Sequence, residues 1–393
     1  MKFIHIGDTH IGNVYKNDTR NDDVKNSFKQ VVDAVIKEHV DFVVHSGDLF
    51  NEGNPSLNAL LFVTDQLNRL KEAGIKVFIV PGSHDVGMGD EDSIVELFDR
   101  NGLLVNLNSV RYISNEDSGF YLSGETYRNA FICGVRGKRS KVENDIFKRL
   151  RVKMDDKAWI RIFVFHHTIS TLGEQFKDLE TESLPKGFEY YAAGHWHGRR
   201  DNINYDKGVI QYPGSTEYCD EKEIVDNPNR GYYLIEYDEK GIEKLEYCLL
   251  KTREKEIIRI NANQKTANEI ESEVFSKLSK NTGKILVVKI DGKIFGKRGE
   301  LNVSHIKKEA IDAGYSYVSI NTSKIFDSDD NVIDIKDNEL NNVESEFLKG
   351  RGYSEEEITL AKMLIDLTTT KTNPELIKRR AEETFDKYDI KRA

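Results

Sequence analysis

The chain has 393 residues, with 57 Lys and Arg against 67 Asp and Glu, a formal net charge of −10 and only 6 prolines. That is core material for two or three domains, and the charge excludes a nucleic-acid polycation, so any DNA contact needs local basic patches, bound metal or a partner. Cys133, Cys219 and Cys248 lack a Cys-x-x-Cys spacing, and no stretch approaches a signal h-region or a membrane span, so a reduced, cytoplasmic protein with no membrane partner is expected.

Residues 2–7 alternate and are β-prone, which predicts a short strand ending at Asp8 and His10. Side chains two apart in extended backbone point the same way, so a carboxylate and an imidazole converge there. Alone the pair is weak, and a solvated loop is its ordinary reading. Residues 26–37 carry Phe28, Val31, Val32, Val35 and Ile36 at helical spacing. Residues 41–50 then form an apolar run into Gly47-Asp48, and buried strands alternating with helices predict an α/β architecture. Residues 56–73 make the next helix. Leu60, Val63, Leu67 and Leu70 suffice for its core stripe, whereas Leu57, Leu61 and Phe62 exceed it, which marks either deep core or an interface.

Residues 76–85 repeat the theme, a buried strand and a Pro-Gly turn before Ser83, His84 and Asp85, followed by a helix over 93–100. Further strands are expected over 131–136, 161–167 (ending in His166-His167) and 190–194 (running into His195-Trp-His197), with closing strands over 208–216 and 231–250. Of ten histidines, His10, His84, His166, His167, His195 and His197 follow apolar strands, as do Asp8, Asp48 and Asp85. His5, His39, His45 and His305 read as ordinary core or surface residues. Loops at strand ends carry function in α/β proteins. Mixed carboxylates and imidazoles with no cysteine nearby favour a borderline-hard divalent ion such as manganese, iron or zinc. The donors are too many for one tetrahedral site, and two metals bridged by a carboxylate fit better.

The blocks Asp8-x-His10, Gly47-Asp48, Gly82-Ser83-His84-Asp85, His166 and Gly194-His195-x-His197 closely resemble the calcineurin-like metallophosphoesterase signature. Asp-Thr-His-Ile-Gly, His-Ser-Gly-Asp-Leu-Phe and Pro-Gly-Ser-Thr-Glu217 further resemble the archaeal Mre-eleven/SbcD double-strand-break repair nucleases. The resemblance implies a four-layer α-β-β-α sandwich with a small α+β capping domain and C-terminal helices. It implies a first metal held by Asp8, His10, Asp48 and His197, and a second, bridged by Asp48, held by His166, His195 and Ser83. His84 would then face the scissile phosphate as a catalytic residue, oriented by Asp85, with His167 behind the ligands. Manganese is the implied ion. Two positions depart from the pattern: relatives usually have Asn at Ser83, and some have a histidine at Asn51 that is implicated in exonuclease action. Endonuclease chemistry is expected to survive the second change better than processive exonuclease work.

The resemblance is strong over residues 1–250 and holds by layout beyond. Residues 251–325 alternate strands and helices, which the resemblance makes a capping, DNA-binding unit, and in them Lys293, Lys297 and Arg298 surround a Gly-rich turn and meet either phosphate or solvent. Residues 326–352 read as an acidic linker. Residues 353–393 contain a capping box at 354–357 and a second amphipathic helix after Pro374, which the resemblance makes the docking element for a Rad-fifty/SbcC-type ABC ATPase. The expected function is a Mn-dependent endonuclease and 3'-5' exonuclease that processes DNA ends as a homodimer. The alternatives are a small-substrate or protein phosphatase of the same superfamily, or a metal-poor scaffold.

Overall fold

The computed structural model describes residues 1–12, 17–87, 92–109, 111–113, 119–137, 143–226, 229–280 and 283–328, with Ser354. The expected linker beyond residue 328 and the 353–393 tail, Ser354 apart, lie outside the described residues. Among the described residues no helix is long and apolar enough to cross a membrane.

The first strand organises the molecule. β1 (Lys2–Ile6) pairs in parallel with β2 (Phe42–His45), β2 with β3 (Lys76–Ile79) and β3 with β4 (Val105–Asn106). On its other side β1 pairs antiparallel with Gly231–Asp238, which forms a hairpin with Gly241–Leu249. Because side chains alternate along a strand, β1 feeds two cores. Ile4 and Ile6 join the cluster under α1 (Asp18–Lys37), α2 (Leu57–Glu72) and α3 (Ile94–Arg100), while Phe3 joins the cluster facing the second sheet. Each helix begins where a side-chain oxygen can accept an orphan amide: Asn17, Ser56 and Ser93 accept from Arg20, Ala59 and Val95. The Asn17 cap starts α1 eight residues before the expected position 26, over largely polar turns from which Val24 joins the same core.

The second sheet runs Arg200–Tyr205, Gly208–Tyr212, Tyr190–Gly194, Ile160–His166, Ala130–Val135, Glu125–Tyr127. Ile132, Ile162, Val164 and Ala192 meet Phe3, Phe42 and Phe78 of the first sheet in one cluster, with Phe3 stacked on Phe42 at 5.0 Å. Truncating such a buried Phe costs about 3–5 kcal/mol. Buried His5 bridges the sheets, its ring nitrogens meeting Tyr190 Oη (2.9 Å) and Ser46 Oγ (3.1 Å), and burial lowers its pKa to about 3. This neutral histidine belongs to the core. The opposite face of the second sheet is covered by the short helix Glu143–Lys148 and three 3₁₀ turns within residues 170–183, so helix, sheet, sheet and short helical turns follow in order. The fourth layer is thinner than the expected sandwich because no long apolar-periodic segment follows these strands.

The surplus apolar face of α2 divides. Leu57 is 69% and Leu61 53% exposed, as is Leu97 (50%) on α3, whereas Phe62 and Phe98 pack against the core. The C-terminal third contributes strands Lys255–Asn261, Ile285–Lys293 and Tyr317–Phe326 and helices Ala267–Lys277 and Val303–Asp312. The chain divides into two compact units. The first comprises residues 1–260, 273–289 and 303–321, and within it Arg253 pairs with Asp23 at 2.7 Å while Asn321 donates to Glu221 at 2.7 Å. The second comprises, among the described residues, 261–272, 290–302 and 322–328, and in it Lys293, Lys297 and Arg298 are exposed around Gly296.

Candidate metal centre

Parallel pairing brings the ends of five strands to one edge. Ile6 lies opposite His45 and His45 opposite Ile79, so the residues after β1, β2 and β3 leave the first sheet at one level. In the second sheet His166 lies opposite Gly194, which sets His195 beside it. Asp8, His10, Asp48 and His195 all have positive φ (52, 47, 54 and 80°). Such conformations cost about 1–3 kcal/mol each outside glycine and persist where the surroundings over-determine them. Here the surroundings are backbone bonds between the two loops: Asp8 N–H to Gly47 O (2.9 Å) and His10 N–H to Asp48 O (3.0 Å). A Cβ on Gly47 would meet His166 Nδ1 at 2.5 Å, so that close approach requires glycine.

The side chains assemble two donor sets. Asp8, His10, Asp48 and His197 offer one ligand atom each within 4.8 Å of one another, as do Asp48, His166 and His195. Asp48 belongs to both. The second set reaches three donors without Ser83, which is buried in the turn beside His84. Asp48 Oδ2 and His166 Nε2 face each other at 3.0 Å without hydrogen-bond geometry, and each is buried with no hydrogen-bond partner. His10 and His197 approach through their Nε2 atoms at 3.1 Å. Orphaned buried polar atoms are costly; converging carboxylate and imidazole donors in that state fit divalent cations. The ring of His166 is fixed by Nδ1–H donating to Ser46 O (2.8 Å), which leaves Nε2 as the donor atom.

Electrostatics agree with this. Burial raises Asp8; it would raise Asp48 too, but the neighbouring His166 holds that carboxyl below the usual range. Burial opposes charge on His166, yet the Asp48 carboxylate lifts its pKa to about 9. Burial lowers His10 to about 3 and His195 to about 4, so both are neutral and ligand-competent at pH 7. A cation binding at Asp48 competes with the proton on His166.

His84 lies at the rim of the first set, its ring 4.9 Å from that of His10. Its amide donates to Asp48 Oδ1 (2.7 Å) and its Nδ1 to the Asn51 carbonyl (2.7 Å). The expectation that Asp85 orients this ring is corrected. Asp85 instead accepts three backbone amides, from Leu49 (3.1 Å), Phe50 (2.8 Å) and Gly82 (2.9 Å). It is fully buried and clamps the β2 and β3 loops together, and burial with Asp48 nearby raises its pKa to about 6 despite those amides. The backbone carbonyl of Asn51 takes the orienting role. His167 packs its ring on Phe147 at 5.2 Å and joins neither donor set.

Sequence reading missed the support of His197. His197 Nδ1–H donates to Glu223 Oε1 (2.6 Å), and Glu223 also accepts from Ser215 Oγ (3.2 Å), the Cys219 amide (2.9 Å) and the buried Arg230 guanidinium (2.5 Å). Arg230 in turn donates to His197 O (2.6 Å). Glu223 sits on the six-residue helix Glu221–Asp226, too short to leave a periodic signal. Cys219 lies near His10 and His197, which corrects the expectation of no cysteine at the site.

Residues 1–199 match the calcineurin-like phosphoesterase family. The chain is similar to the DNA double-strand break repair protein Mre11 of Sulfolobus acidocaldarius, 28% identical over 97% of this chain and 99% of that protein. It is similar to the protein of the same name from Methanocaldococcus jannaschii, 31% identical over 67% of this chain and 70% of that one. An uncharacterized metallophosphoesterase, YhaO of Bacillus subtilis, is 29% identical over 60% of this chain and 57% of its own length. A shared-carboxylate pair of donor sets in the matched region agrees with these likenesses: the chain belongs to the calcineurin-like phosphoesterases, in their Mre11 branch, and is a metal-dependent phosphodiesterase.

Proposed function

We propose that the chain is a manganese-dependent DNA nuclease, an endonuclease and 3'-5' exonuclease that processes DNA ends in double-strand-break repair with a Rad50-type ABC ATPase. The observation that supports this reading is Asp48 shared between two donor sets with His84 beside them, in a chain of the Mre11 branch. Asp8, His10, Asp48 and His197 would hold one ion and Asp48, His166, His195 and Ser83 the other, and the pair would supply Lewis-acid charge to a phosphate and a nucleophile at neutral pH. With Nδ1 donating to Asn51 O, the His84 ring is held and its Nε2 is the atom available to give a proton to the leaving oxygen. Asp85 acts one step back, keeping the loop that carries Asp48 and Asn51 in place.

The same reading gives residues 251–325 the role of shaping the DNA path, with Lys293, Lys297 and Arg298 toward phosphate, and residues 353–393, after a 326–352 linker, the role of docking the ATPase. The exposed Leu57, Leu61 and Leu97 would form a two-fold helical interface that places two sites on one DNA. Leu61→Asp should then yield a folded monomer by light scattering; an unchanged dimer would place the interface elsewhere.

The direct test is Mn²⁺-dependent cleavage of labelled linear, hairpin and single-stranded DNA beside a chromogenic phosphodiester. Cleavage of both substrate classes is expected, with endonuclease action exceeding processive degradation. Turnover of the chromogenic ester alone would replace the nuclease reading with a small-substrate phosphodiesterase.

A further inference from the structure

One corner of the centre holds a donor of a different kind. The Cys219 sulfur and a ring nitrogen of each of His10 and His197 lie within 4.8 Å of one another. His10 is 1% exposed, and its Nδ1 is buried without a hydrogen-bond partner. The Glu223 carboxylate that accepts the His197 Nδ1–H also accepts the Cys219 backbone amide at 2.9 Å, so one acid holds imidazole and thiol in the same corner. The sulfur donates to the Glu217 carbonyl at 3.5 Å, and because S–H is a weak donor a change of rotamer gives up little. Zinc bonds of about 2.3 Å to sulfur and 2.0–2.1 Å to nitrogen place the two ligand atoms roughly 3.6 Å apart across a tetrahedral angle, within reach of a modest thiol rotation. Cys133 lies in the core strand Ala130–Val135 and Cys248 on Gly241–Leu249, and neither belongs to a donor set among the described residues.

We infer that Cys219 is a thiolate donor to a cation held with His10 and His197, giving this chain a site for thiophilic divalent ions of the zinc and cadmium class that overlaps the first metal position. On binding, the metal–sulfur bond replaces the S–H bond and the proton leaves to solvent. His10 and His197 serve both arrangements, so a soft ion drawn to sulfur excludes the harder ion that Asp8 and Asp48 share with them. The inference rests on the metal-centre reading and adds a selectivity to it.

Cobalt(II) absorption tests it on the full-length protein, because thiolate ligation adds a near-ultraviolet charge-transfer band to the visible d–d bands of nitrogen and oxygen ligation. The expected result is that band in the wild-type protein and in Cys248→Ser, and its loss in Cys219→Ser and Cys219→Ala with the melting temperature retained. Zinc affinity, read by competition with a chromophoric chelator, should fall at least about tenfold in the Cys219 variants. Bound cobalt with d–d bands and no charge-transfer band in the wild-type protein overturns the inference and leaves the metal centre standing. No bound cobalt overturns both, and the wild-type spectrum decides even if the variants fail to fold.

Discussion

The two halves of the metal centre are built by different means. On the first-sheet side Asp8, His10, Asp48 and Asp85 are at most 1% exposed, and backbone groups hold them, through the Asp85 amide clamp and the paired loops after β1 and β2. On the other side the His195 and His197 side chains are 36% and 28% exposed. His197 there hangs on a chain of charged side chains through Glu223 to Arg230. A backbone-held carboxylate has one position, so in the proposed centre the sealed half would set where the ions sit. The half-open side can yield, and it would govern how tightly they are held and what reaches them.

Breaking the sealed half should have the largest effect. Asp48→Ala removes the residue common to both donor sets, and metal-stimulated hydrolysis of a small phosphodiester should fall by on the order of a thousandfold or more. His84→Asn should lower turnover about a hundredfold while calorimetry finds metal stoichiometry unchanged, because His84 belongs to neither donor set. Lost metal in that variant would move His84 among the ligands. Asp85→Ala leaves up to three buried amides unpaired and should destabilise the protein by about 2–4 kcal/mol, read as an earlier denaturant midpoint. If stability held and only turnover fell, Asp85 would be acting on the reaction and the clamp would be secondary. Smallest in its effect on the centre is the open half: Glu223→Gln keeps the side chain's shape but removes its charge, and metal affinity should drop roughly tenfold, with an earlier denaturant midpoint because the buried Arg230 guanidinium loses its counter-charge. An unchanged affinity would show that Arg230 holds His197 through its carbonyl alone.

The same division explains how much could be read from the sequence. Strand-end candidate donors were legible because apolar runs such as 42–44 and 77–80 mark buried strands, and the polar residues after each sit toward the sheet edge. The positions of Asp8, His10, Asp48, His166, His195 and His197 follow from that rule. Asp85 was found, but its partners were not, since backbone amides have no letter in the sequence. Glu223, Arg230 and Cys219 escaped because they lie on a short helix and loops whose spacing from His197 has no period. Short strands such as Arg111–Ile113 and Leu150–Val152 were missed for the same reason, being too brief for alternation to show.

The claim on which the rest depends is that Asp48 joins two ions. Electron paramagnetic resonance of the Mn²⁺-loaded protein tests it most directly, because a bridging carboxylate couples the two spins and isolated ions keep their own hyperfine pattern. The account predicts two bound ions per chain with an exchange-coupled spectrum that disappears in Asp48→Ala. A single ion, or two ions with uncoupled spectra in the wild-type protein, would contradict it.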